Sequence, residues 1–241
     1  MKSNNSREQV IKFFRTGEHD CSYLPDQQSR TLFLDPELKY SLNLYEELTH
    51  SGFRRSGKHL YRPDCQNCHS CIPARIPVAD FQMKRRFRRV TNLNKDVSIE
   101  LQRCTYRDAD YELFERYITQ RHSDGDMYPP SKDSYGDFLA VDNEFSFQVR
   151  YSVAGRTIGI AVTDHLKTGL SAIYTFFEPE QDQRSLGVFS ILKQIELCQQ
   201  LELPYLYLGY WIPGCKKMNY KTAYQPVELL IDGRWHQIEI E

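Results

Sequence analysis

Three cysteines at three-residue spacing lie in a stretch that is also rich in basic side chains. The stretch runs from Gly52 to Arg75 and contains Cys65, Cys68 and Cys71 together with five lysines and arginines. Thiolates at such spacing are ligands for zinc or for an iron–sulfur cluster. Basic side chains favour an anionic partner. The stretch therefore predicts a metal site beside a surface that binds an anion.

A fourth thiolate is needed to complete such a site, and Cys21 is the candidate. It lies in a short polar segment, interrupted by Pro25, that is predicted to be a loop or an edge strand. The predicted ligands are Cys21, Cys65, Cys68 and Cys71, and thiolates serve zinc and iron–sulfur clusters equally. Free thiols are the alternative. The chain has seven cysteines, which is an odd number, and disulfides are rare in a reducing compartment. Both points argue against disulfides.

A second cluster of cations lies at residues 84–89, which read KRRFRR. The chain has a formal net charge of −1, so an anionic partner must be bound by local patches and not by a basic surface overall. The segment after this run has no strong hydrophobic period, which indicates a boundary between two lobes. The alternative is a solvated face, which is the usual role of a charge run.

Length and composition indicate a globular protein. The chain has 241 residues, of which 40% are hydrophobic and 13% aromatic. This is enough for one large domain or two lobes of roughly 100 residues each. No apolar run approaches the roughly 18 residues of a membrane span, and residues 1–14 lack the apolar core of a secretory signal. These features predict a cytoplasmic protein with no membrane partner.

Three helices are predicted before residue 145. Asp35 is the predicted N-cap of the first, with Pro36 at its first position and Gly52 just past its end. A second helix is predicted to start near Asp108, and Ser131 is the predicted N-cap of a third. The first helix leads directly into the cysteine-containing stretch.

From Phe145 the hydrophobic pattern changes to a period of two, which predicts an antiparallel meander that ends near Phe177. Residues 185–187 then open a predicted helix and residues 205–210 form a strand, so the chain makes a right-handed crossover to a parallel strand. Asp-Gly at 232–233 predicts a final hairpin. This order is typical of a Gcn5-type N-acetyltransferase-like fold, in which the acyl donor lies where the parallel strands splay.

Five blocks of sequence strongly resemble the arginyl-tRNA–protein transferase family, and within it the bacterial branch that transfers leucine to N-terminal aspartate or glutamate. The blocks are GFRRSGKHLYRPDC at 52–65, YITQRHSDGD at 117–126, DHLKTGLSAIYTFFEPE at 164–180, RSLGVFSILKQIE at 184–196 and YWIPGCKKMNYKTAYQPVELL at 210–230. They span most of the chain in the family's order. The resemblance implies an α+β fold with an N-terminal cysteine-containing lobe, residues 1–90, and a C-terminal Gcn5-type N-acetyltransferase-like lobe with a mixed sheet, residues 91–241.

The resemblance also implies a reaction and its partners. Members of the family move an amino acid from its tRNA ester to a protein N-terminus, which marks the protein for degradation through the N-degron pathway. The expected co-substrate is leucyl-tRNA, and the expected acceptors are proteins that begin with Asp or Glu; no DNA partner is expected. Because an activated ester and an amine form an amide downhill, no nucleotide cofactor is required, and positioning should supply most of the catalysis.

Catalytic and acceptor-binding roles follow for individual residues of the matched blocks. Asp164 is predicted to accept the proton or to hold the amine and is preferred to His122 and His165, because it lies in a matched block. Tyr174 is predicted as a second catalytic residue. The alternative for Asp164 is a strand-end cap of the next turn. An acidic acceptor side chain requires a cation nearby, although lysines of this kind can also meet solvent or the tRNA backbone. The predicted substrate-binding residues are Lys217 as first choice, then Lys221, Arg62, His122, Arg54 and Arg55.

The acceptor end of the tRNA brings phosphates, for which two sites are predicted. Ser185, Leu186 and Gly187 open a helix, where free backbone N–H groups and the positive end of the helix dipole suit a phosphate. Cations of the basic run would neutralise further phosphates with little sequence selectivity; they are Lys84, Arg85, Arg86, Arg88 and Arg89.

The cysteines differ from those of the eukaryotic arginyltransferases, which carry Cys-x-x-Cys near the start and an adjacent Cys pair later. Here Cys21 stands alone, a pattern that resembles the leucyl-transferring branch, so the metal site does not carry over unchanged. Three other functions stay open. They are arginyl-tRNA-dependent transfer to the same acceptors, a non-catalytic metal-stapled RNA-binding module, and a small-molecule N-acetyltransferase, for which no clear Gly-rich pyrophosphate loop is found.

Overall fold

The structure is a computed structural model that describes residues 10–238. The predicted last strand was placed at residues 235–240, so its end lies outside the described residues, as do residues 1–9 of the segment searched for a secretory signal. Within the described range, no helix is both long and apolar enough to cross a membrane.

The chain alternates short strands and helices. The strands are β1 (Phe13–Arg15), β2 (His19–Asp20), β3 (Gln28–Ser29), β4 (Thr31–Leu34), β5 (Arg54–Ser56), β6 (His59–Pro63), β7 (Ile72–Pro77), β8 (Ser98–Arg103), β9 (Ser146–Val153), β10 (Arg156–Leu166), β11 (Gly169–Phe177), β12 (Tyr205–Trp211), β13 (Val227–Ile231) and β14 (Arg234–Ile238). The α-helices are α1 (Leu42–His50), α2 (Arg85–Leu93), α3 (Asp108–Arg121), α4 (Lys132–Leu139) and α5 (Leu186–Gln200).

Eight strands form one mixed sheet in the order β14-β13-β7-β12-β11-β10-β9-β8. Strands β8 to β11 are antiparallel neighbours, whereas β11 and β12 are parallel because α5 connects them as a crossover. Apolar side chains of β9, β10 and β11 pack with those of α3 and the first turns of α5 into one buried core. The sheet therefore holds the crossover helix directly against the parallel pair.

A smaller sheet precedes the large one, with the order β1-β4-β6-β5. Tyr45 and Leu48 of α1 pack against this sheet and also against Leu166 and Tyr207 of the large sheet. The core of the N-terminal part is thus shared with the C-terminal part. The division into residues 1–90 and 91–241 stays a prediction, and β7 shows that the first range contributes a strand to the larger sheet.

The α+β fold class with a mixed sheet is confirmed. The predicted meander from Phe145 corresponds to β9, β10 and β11, and the predicted crossover to a parallel strand corresponds to α5 and β12. Ser131 caps α4 as predicted, since its Oγ accepts a hydrogen bond from the Ser134 N–H. The final hairpin also forms, with Val227 opposite Ile238.

The start of the first predicted helix was wrong. Asp35 does not start a helix, because its carboxylate caps a turn by accepting from the Glu37 N–H at 3.0 Å. The helix starts later, at Leu42, where Ser41 Oγ accepts from the Leu44 N–H. The basic run lies on the helix α2, whose buried side chain Phe87 anchors it to the core.

Candidate active site

The parallel strands β11 and β12 pair over three residues and then part. The ladder runs from Gly169 opposite Tyr205 to Ser171 opposite Tyr207. Gly169 allows the close start, because a Cβ there would lie 2.3 Å from the Tyr205 carbonyl oxygen. We call the opening beyond these pairs, between residues 172–177 and 208–211, the strand split. It is the place where the sequence analysis expects an acyl donor to lie.

Arg54 of β5 reaches into the strand split. Its Nη1 donates to Ser171 Oγ at 2.9 Å and its Nη2 donates to the Ala172 carbonyl at 2.6 Å. On the other side Gly209 leaves room for the guanidinium, because a Cβ there would lie 3.3 Å from Arg54 Nε. Gly209 also has a φ of +81°, which suits glycine. The predicted substrate-binding residue Arg54 therefore lies in the opening itself.

Asp164 is enclosed between α1, β5 and β10, with 0% of its surface exposed. Its carboxylate accepts from Arg55 Nε at 2.6 Å and Nη2 at 2.7 Å. Tyr45 Oη at 2.7 Å and Ser146 Oγ at 2.5 Å donate to it as well. A general base must come within hydrogen-bond reach of the substrate. The enclosed position of Asp164 is at odds with its predicted role as a base. Arg55, which was predicted to bind substrate, is paired with the Asp164 carboxylate.

Tyr174 lies on β11 beside the strand split, in a cluster of aromatic rings. Its ring centroid is 6.4 Å from that of Tyr117 and 5.6 Å from that of Phe138. Burial, followed by the neighbouring Tyr117 phenol, raises the pKa of Tyr174 well above its usual value. The phenol is therefore protonated at neutral pH, so it can donate a hydrogen bond but cannot take a proton from an amine.

His122 and Lys217 lie on two loops next to this cluster. His122 Nε2 is 3.1 Å from Tyr117 Oη. Burial, and then the charges of Lys217 and Arg121, lower the pKa of His122, against the opposing effect of Asp124. The ring is therefore neutral at neutral pH and can accept a proton. Lys217, the first choice for acceptor binding, is 57% exposed and pairs with Asp124 at 2.8 Å, so its charge already has a partner at the surface.

Lys221 is buried, with 4% of its surface exposed. Its Nζ donates to the Tyr210 carbonyl on β12. Burial, and then the charge of Arg54, lower the pKa of Lys221 to about 7, while Cys215 and Cys71 act in the opposite direction. The structure thus brings Lys221 and Arg54, two predicted substrate-binding residues, to the same place at the strand split.

Arg62 lies in the wall of a separate cavity of about 720 Å³, which is also lined by His69 and Trp235. The guanidinium carbon of Arg62 is 5.3 Å from the centroid of the Phe53 ring. Its Nε is enclosed and has no hydrogen-bond partner among the described residues. The surroundings of Arg62 therefore differ from those of Arg54 and Lys221.

The basic helix α2 presents its cations to solvent. Phe87 is buried and stacks on Tyr224, with ring centroids 5.0 Å apart. The predicted tRNA-binding cations are all exposed; they are Lys84, Arg85, Arg86, Arg88 and Arg89. Of these, Arg86 donates from Nη2 to the Ala223 carbonyl at 2.6 Å. The helix therefore offers a cationic face that does not depend on the core.

The first turn of α5 lies beside α2, and Asn94 at the end of α2 donates to the Arg184 carbonyl just before α5. Ser185 is exposed and its side chain does not cap the helix. The Leu186 side chain is buried in the core, so Leu186 can meet a phosphate only through its backbone N–H. Together with half-buried Gly187, these residues keep the predicted phosphate site on the side of α2.

The four predicted metal-binding cysteines line one cavity of about 290 Å³. Burial, and then the neighbouring Cys21, Cys65 and Cys68 thiols, raise the pKa of Cys71 to about 12. Within residues 10–238, however, no three His, Cys, Asp or Glu side chains are arranged to hold one metal ion. The thiols therefore line one cavity, but in the described part of the chain they are not arranged as the closed ligand cage of a structural zinc site.

Comparison with known proteins decides the family. The description "Arginine-tRNA-protein transferase, C terminus" matches residues 109–231, and "Arginine-tRNA-protein transferase, N terminus" matches residues 19–89. The chain belongs to the arginine-tRNA-protein transferase family. Both the N-terminal and the C-terminal region of the family are thus present, and the protein is a transferase.

Curated relatives of this transferase cover nearly the whole chain. A protein of Pseudomonas fluorescens (strain Pf0-1) named aspartate/glutamate leucyltransferase is 52% identical over 225 residues, which are 93% of this chain and 96% of the relative. One of Pseudomonas putida (strain W619) with the same name is 51% identical over the same shares. Among solved structures, the C-terminal domain of a putative lysylphosphatidylglycerol synthetase from Agrobacterium fabrum matches with a TM-score of 0.43 and 9% identity, over 70% of this chain and 52% of that one.

Some residues around the transferase's strand split were not predicted from the sequence. Tyr117 lies in the same matched block as His122, but helical spacing does not pair the two, because residues five positions apart do not share a helix face. Tyr45 lies on α1, and its hydroxyl contact with Asp164 spans 119 residues of sequence. No local pattern could have shown this contact.

Proposed function

We propose that this transferase moves leucine from leucyl-tRNA to the N-terminal α-amine of proteins that begin with Asp or Glu, in the cytoplasm. The observation that carries the proposal is the identity of about half over nearly the full length to proteins named aspartate/glutamate leucyltransferase. The structure supports it with an opening for an acyl group between β11 and β12 and with cations at that opening. The resulting N-terminal leucine would mark the acceptor for proteolysis.

The reaction is the aminolysis of an ester. The acceptor nitrogen attacks the leucyl carbonyl carbon, the bond from that carbon to the ribose oxygen breaks, and the tRNA leaves with a free hydroxyl. A neutral amine loses one proton in this exchange, and that proton ends on the ribose oxygen; a protonated amine must first lose another proton to a base. A protein α-amine has a pKa of about 7.7–8.0, which is only about one unit above neutral pH. A base therefore has only this small difference to overcome. Positioning in the strand split therefore supplies most of the rate.

His122 is the group we place as the proton acceptor, in the role that enclosed Asp164 does not fill. Its imidazole is neutral at neutral pH and lies 3.1 Å from Tyr117 Oη, beside the aromatic wall of the strand split. Tyr174 belongs to that wall, and its protonated phenol is suited to donate a hydrogen bond to the oxyanion that forms at the leucyl carbonyl.

The tRNA would approach from the side of α2 and α5. The exposed cations of α2 neutralise phosphates near the acceptor end, and the first turn of α5 offers backbone N–H groups to one of them. Both elements are fixed to the core by buried side chains, Phe87 and Leu186. The cationic face is therefore anchored to the core that also holds the strand split.

A peptide panel tests the proposed activity. The protein is incubated with leucyl-tRNA and peptides that begin with Asp, Glu, Lys or Ala, and leucine on each peptide is measured by mass spectrometry. We expect transfer to the Asp and Glu peptides only. If charged and uncharged tRNA bind equally well and no peptide is modified, the result would favour the RNA-binding module instead. Acetyl-CoA turnover would favour a small-molecule acetyltransferase.

Zinc or an iron–sulfur cluster at the four cysteines stays a prediction. Metal analysis of anaerobically purified protein tests it, with Cys68→Ser as the variant that removes one thiol from the cavity. Bound zinc or iron that falls in the variant would support the site. Less than roughly 0.2 equivalents of both metals in the unaltered protein would contradict it.

A further inference from the structure

Most buried cations of the protein are paired with carboxylates. Arg55 pairs with Asp164 and Arg75 pairs with Glu228, both at 2.6 Å. Arg54 and Lys221 differ. They are 8% and 4% exposed, and no carboxylate within the described part of the chain lies within 4.0 Å of either.

These two cations lie on the two sides of the strand split. Arg54 is bound to β11 through Ser171 and Ala172, whereas Lys221 is bound to the Tyr210 carbonyl on β12. They are close enough that the positive charge of Arg54 disfavours a second charge on Lys221. The charged groups that act on Lys221 include no carboxylate. The pair is therefore a local excess of positive charge at the strand split.

Two like charges buried together without an anion are costly, because each has lost water and each repels the other. The lowered pKa of Lys221, about 7, reflects this cost, so only about half of the Lys221 side chains are charged at neutral pH until an anion binds beside them. Carbonyl and hydroxyl dipoles offset only part of this cost. Each cation also has an N–H group that is not used in a hydrogen bond within the described residues. Arg54 Nε makes no hydrogen bond within residues 10–238 and is not fully enclosed. The Lys221 ammonium has three protons, and its partners are one carbonyl oxygen and the Met218 sulfur.

The small exposed surface of both cations decides which anion fits. A phosphodiester brings a ribose on each side, and the exposed cations on α2 are better placed to meet it. A carboxylate at the end of a short side chain is slim enough to enter a narrow opening, and it pairs well with guanidinium and ammonium groups. An Asp or Glu side chain at the acceptor N-terminus also arrives attached to the α-amine that must reach the same opening.

We propose that Arg54 and Lys221 together form the site that binds the side-chain carboxylate of the acceptor's first residue, one cation from each side of the strand split. The inference rests on the proposed function, because it names the residues that would select acidic acceptors. It replaces Lys217, which was the first choice from the sequence and is paired with Asp124 at the surface.

Peptides that begin with Asp and Asn test the site, because the two side chains differ in charge and hardly in size. The ratio of kcat/KM for the Asp peptide to that for the Asn peptide is measured with leucyl-tRNA. In Lys221→Met we expect this ratio to fall about 10- to 100-fold, the value of one charge-assisted hydrogen bond, with little change for the Asn peptide. Arg54→Gln is expected to lower the ratio as well, whereas Arg54→Lys keeps the charge and should retain much of it. Lys132→Met, which removes an exposed lysine, is the matched control and should keep the full ratio.

Retention of the Asp preference in both Lys221→Met and Arg54→Gln would overturn the proposal. So would a higher KM for leucyl-tRNA that is the same with both peptides, since that result assigns the pair to a tRNA phosphate. Direct binding of the two peptides, without tRNA, separates this inference from the proposed function. Tighter binding of the Asp peptide that is lost in Lys221→Met supports the site even if no leucine is transferred, and equal binding of both peptides by the unaltered protein contradicts it.

Discussion

At the scale of single residues, Asp164 combines the features of a catalytic group in the sequence with those of a buried ion-pair partner of Arg55 in the structure. The carboxylate has a matched position, the right chemistry and a place near the active strands, yet four donors occupy it. A buried pair contributes little net stability, but removing one partner leaves the other charge buried and unpaired. The two possible roles of Asp164 therefore differ in what its loss should do.

We predict that Asp164→Asn destabilises the fold by about 3–5 kcal/mol, because Arg55 would remain buried without its counter-charge. The free energy of unfolding is measured by urea denaturation. Asp142→Asn is the matched control: Asp142 pairs with Arg103 at 2.9 Å at the surface, and its loss should cost less than about 1 kcal/mol. A variant that keeps its stability but loses transfer would restore Asp164 as the catalytic base.

His122 leads to a prediction about pH. In His122→Gln we expect kcat to fall about tenfold at pH 7, where only about a tenth to a quarter of the acceptor amine is neutral. The deficit should shrink as the pH rises past about 8, because the amine then loses its proton without help. Initial rates with saturating substrates between these pH values check this. A deficit that stays constant over the range would show that His122 does not accept the proton.

At the scale of elements, the hydrophobic periods predicted individual strands and helices but not the features that depend on tertiary packing. Alternating apolar residues predicted β9, β10 and β11, and the change of period at Ser185 predicted α5, because burial of one face imposes these patterns. The start of α1 was misplaced, since Asp35 and Ser41 are both good caps and only packing decides between them.

The candidate site shows the same limit. Arg54 and Lys221 were predicted as substrate-binding residues from their blocks, but their pairing across the strand split depends on strands that meet only in the folded protein. Lys217 was preferred from its place in the Cys-Lys-Lys-Met-Asn-Tyr-Lys segment, which also contains Lys221. Its exposure and its ion pair with Asp124, 93 residues away, could not be foreseen from charge alone.

The cationic face of α2 carries a prediction about salt. Each phosphate neutralised by a lysine or arginine adds about 0.7–0.9 to the slope of log affinity against log salt. In the double variant Arg88→Gln with Arg89→Gln we expect weaker leucyl-tRNA binding and a slope smaller by about 1–2. Binding is measured by filter retention at several salt concentrations, with Arg103→Gln on β8 as the control for an exposed arginine elsewhere. An unchanged slope would remove α2 from the tRNA-binding surface.

At the scale of the whole molecule, the two parts of the family are joined through the strand split. Arg54 and Arg55 lie on β5 of the small sheet and contact the large sheet. Arg54 donates a hydrogen bond to β11, and Arg55 donates one to β10. The cysteine cavity is lined by Tyr61 and Pro63 of the small sheet's β6 and by Tyr210 of the large sheet's β12. The N-terminal part therefore does more than support the catalytic part, because it supplies a cation to the opening where transfer is proposed.

The identity of the donated amino acid tests the account most directly. The protein is given leucyl-tRNA and arginyl-tRNA together at equal concentration with a peptide that begins with Asp, and the product is identified by mass spectrometry. We expect the peptide to gain one leucine residue and no arginine. Arginine as the main addition would contradict leucine as the donor while keeping the family, and an unmodified peptide with both charged tRNAs present would contradict the transfer itself.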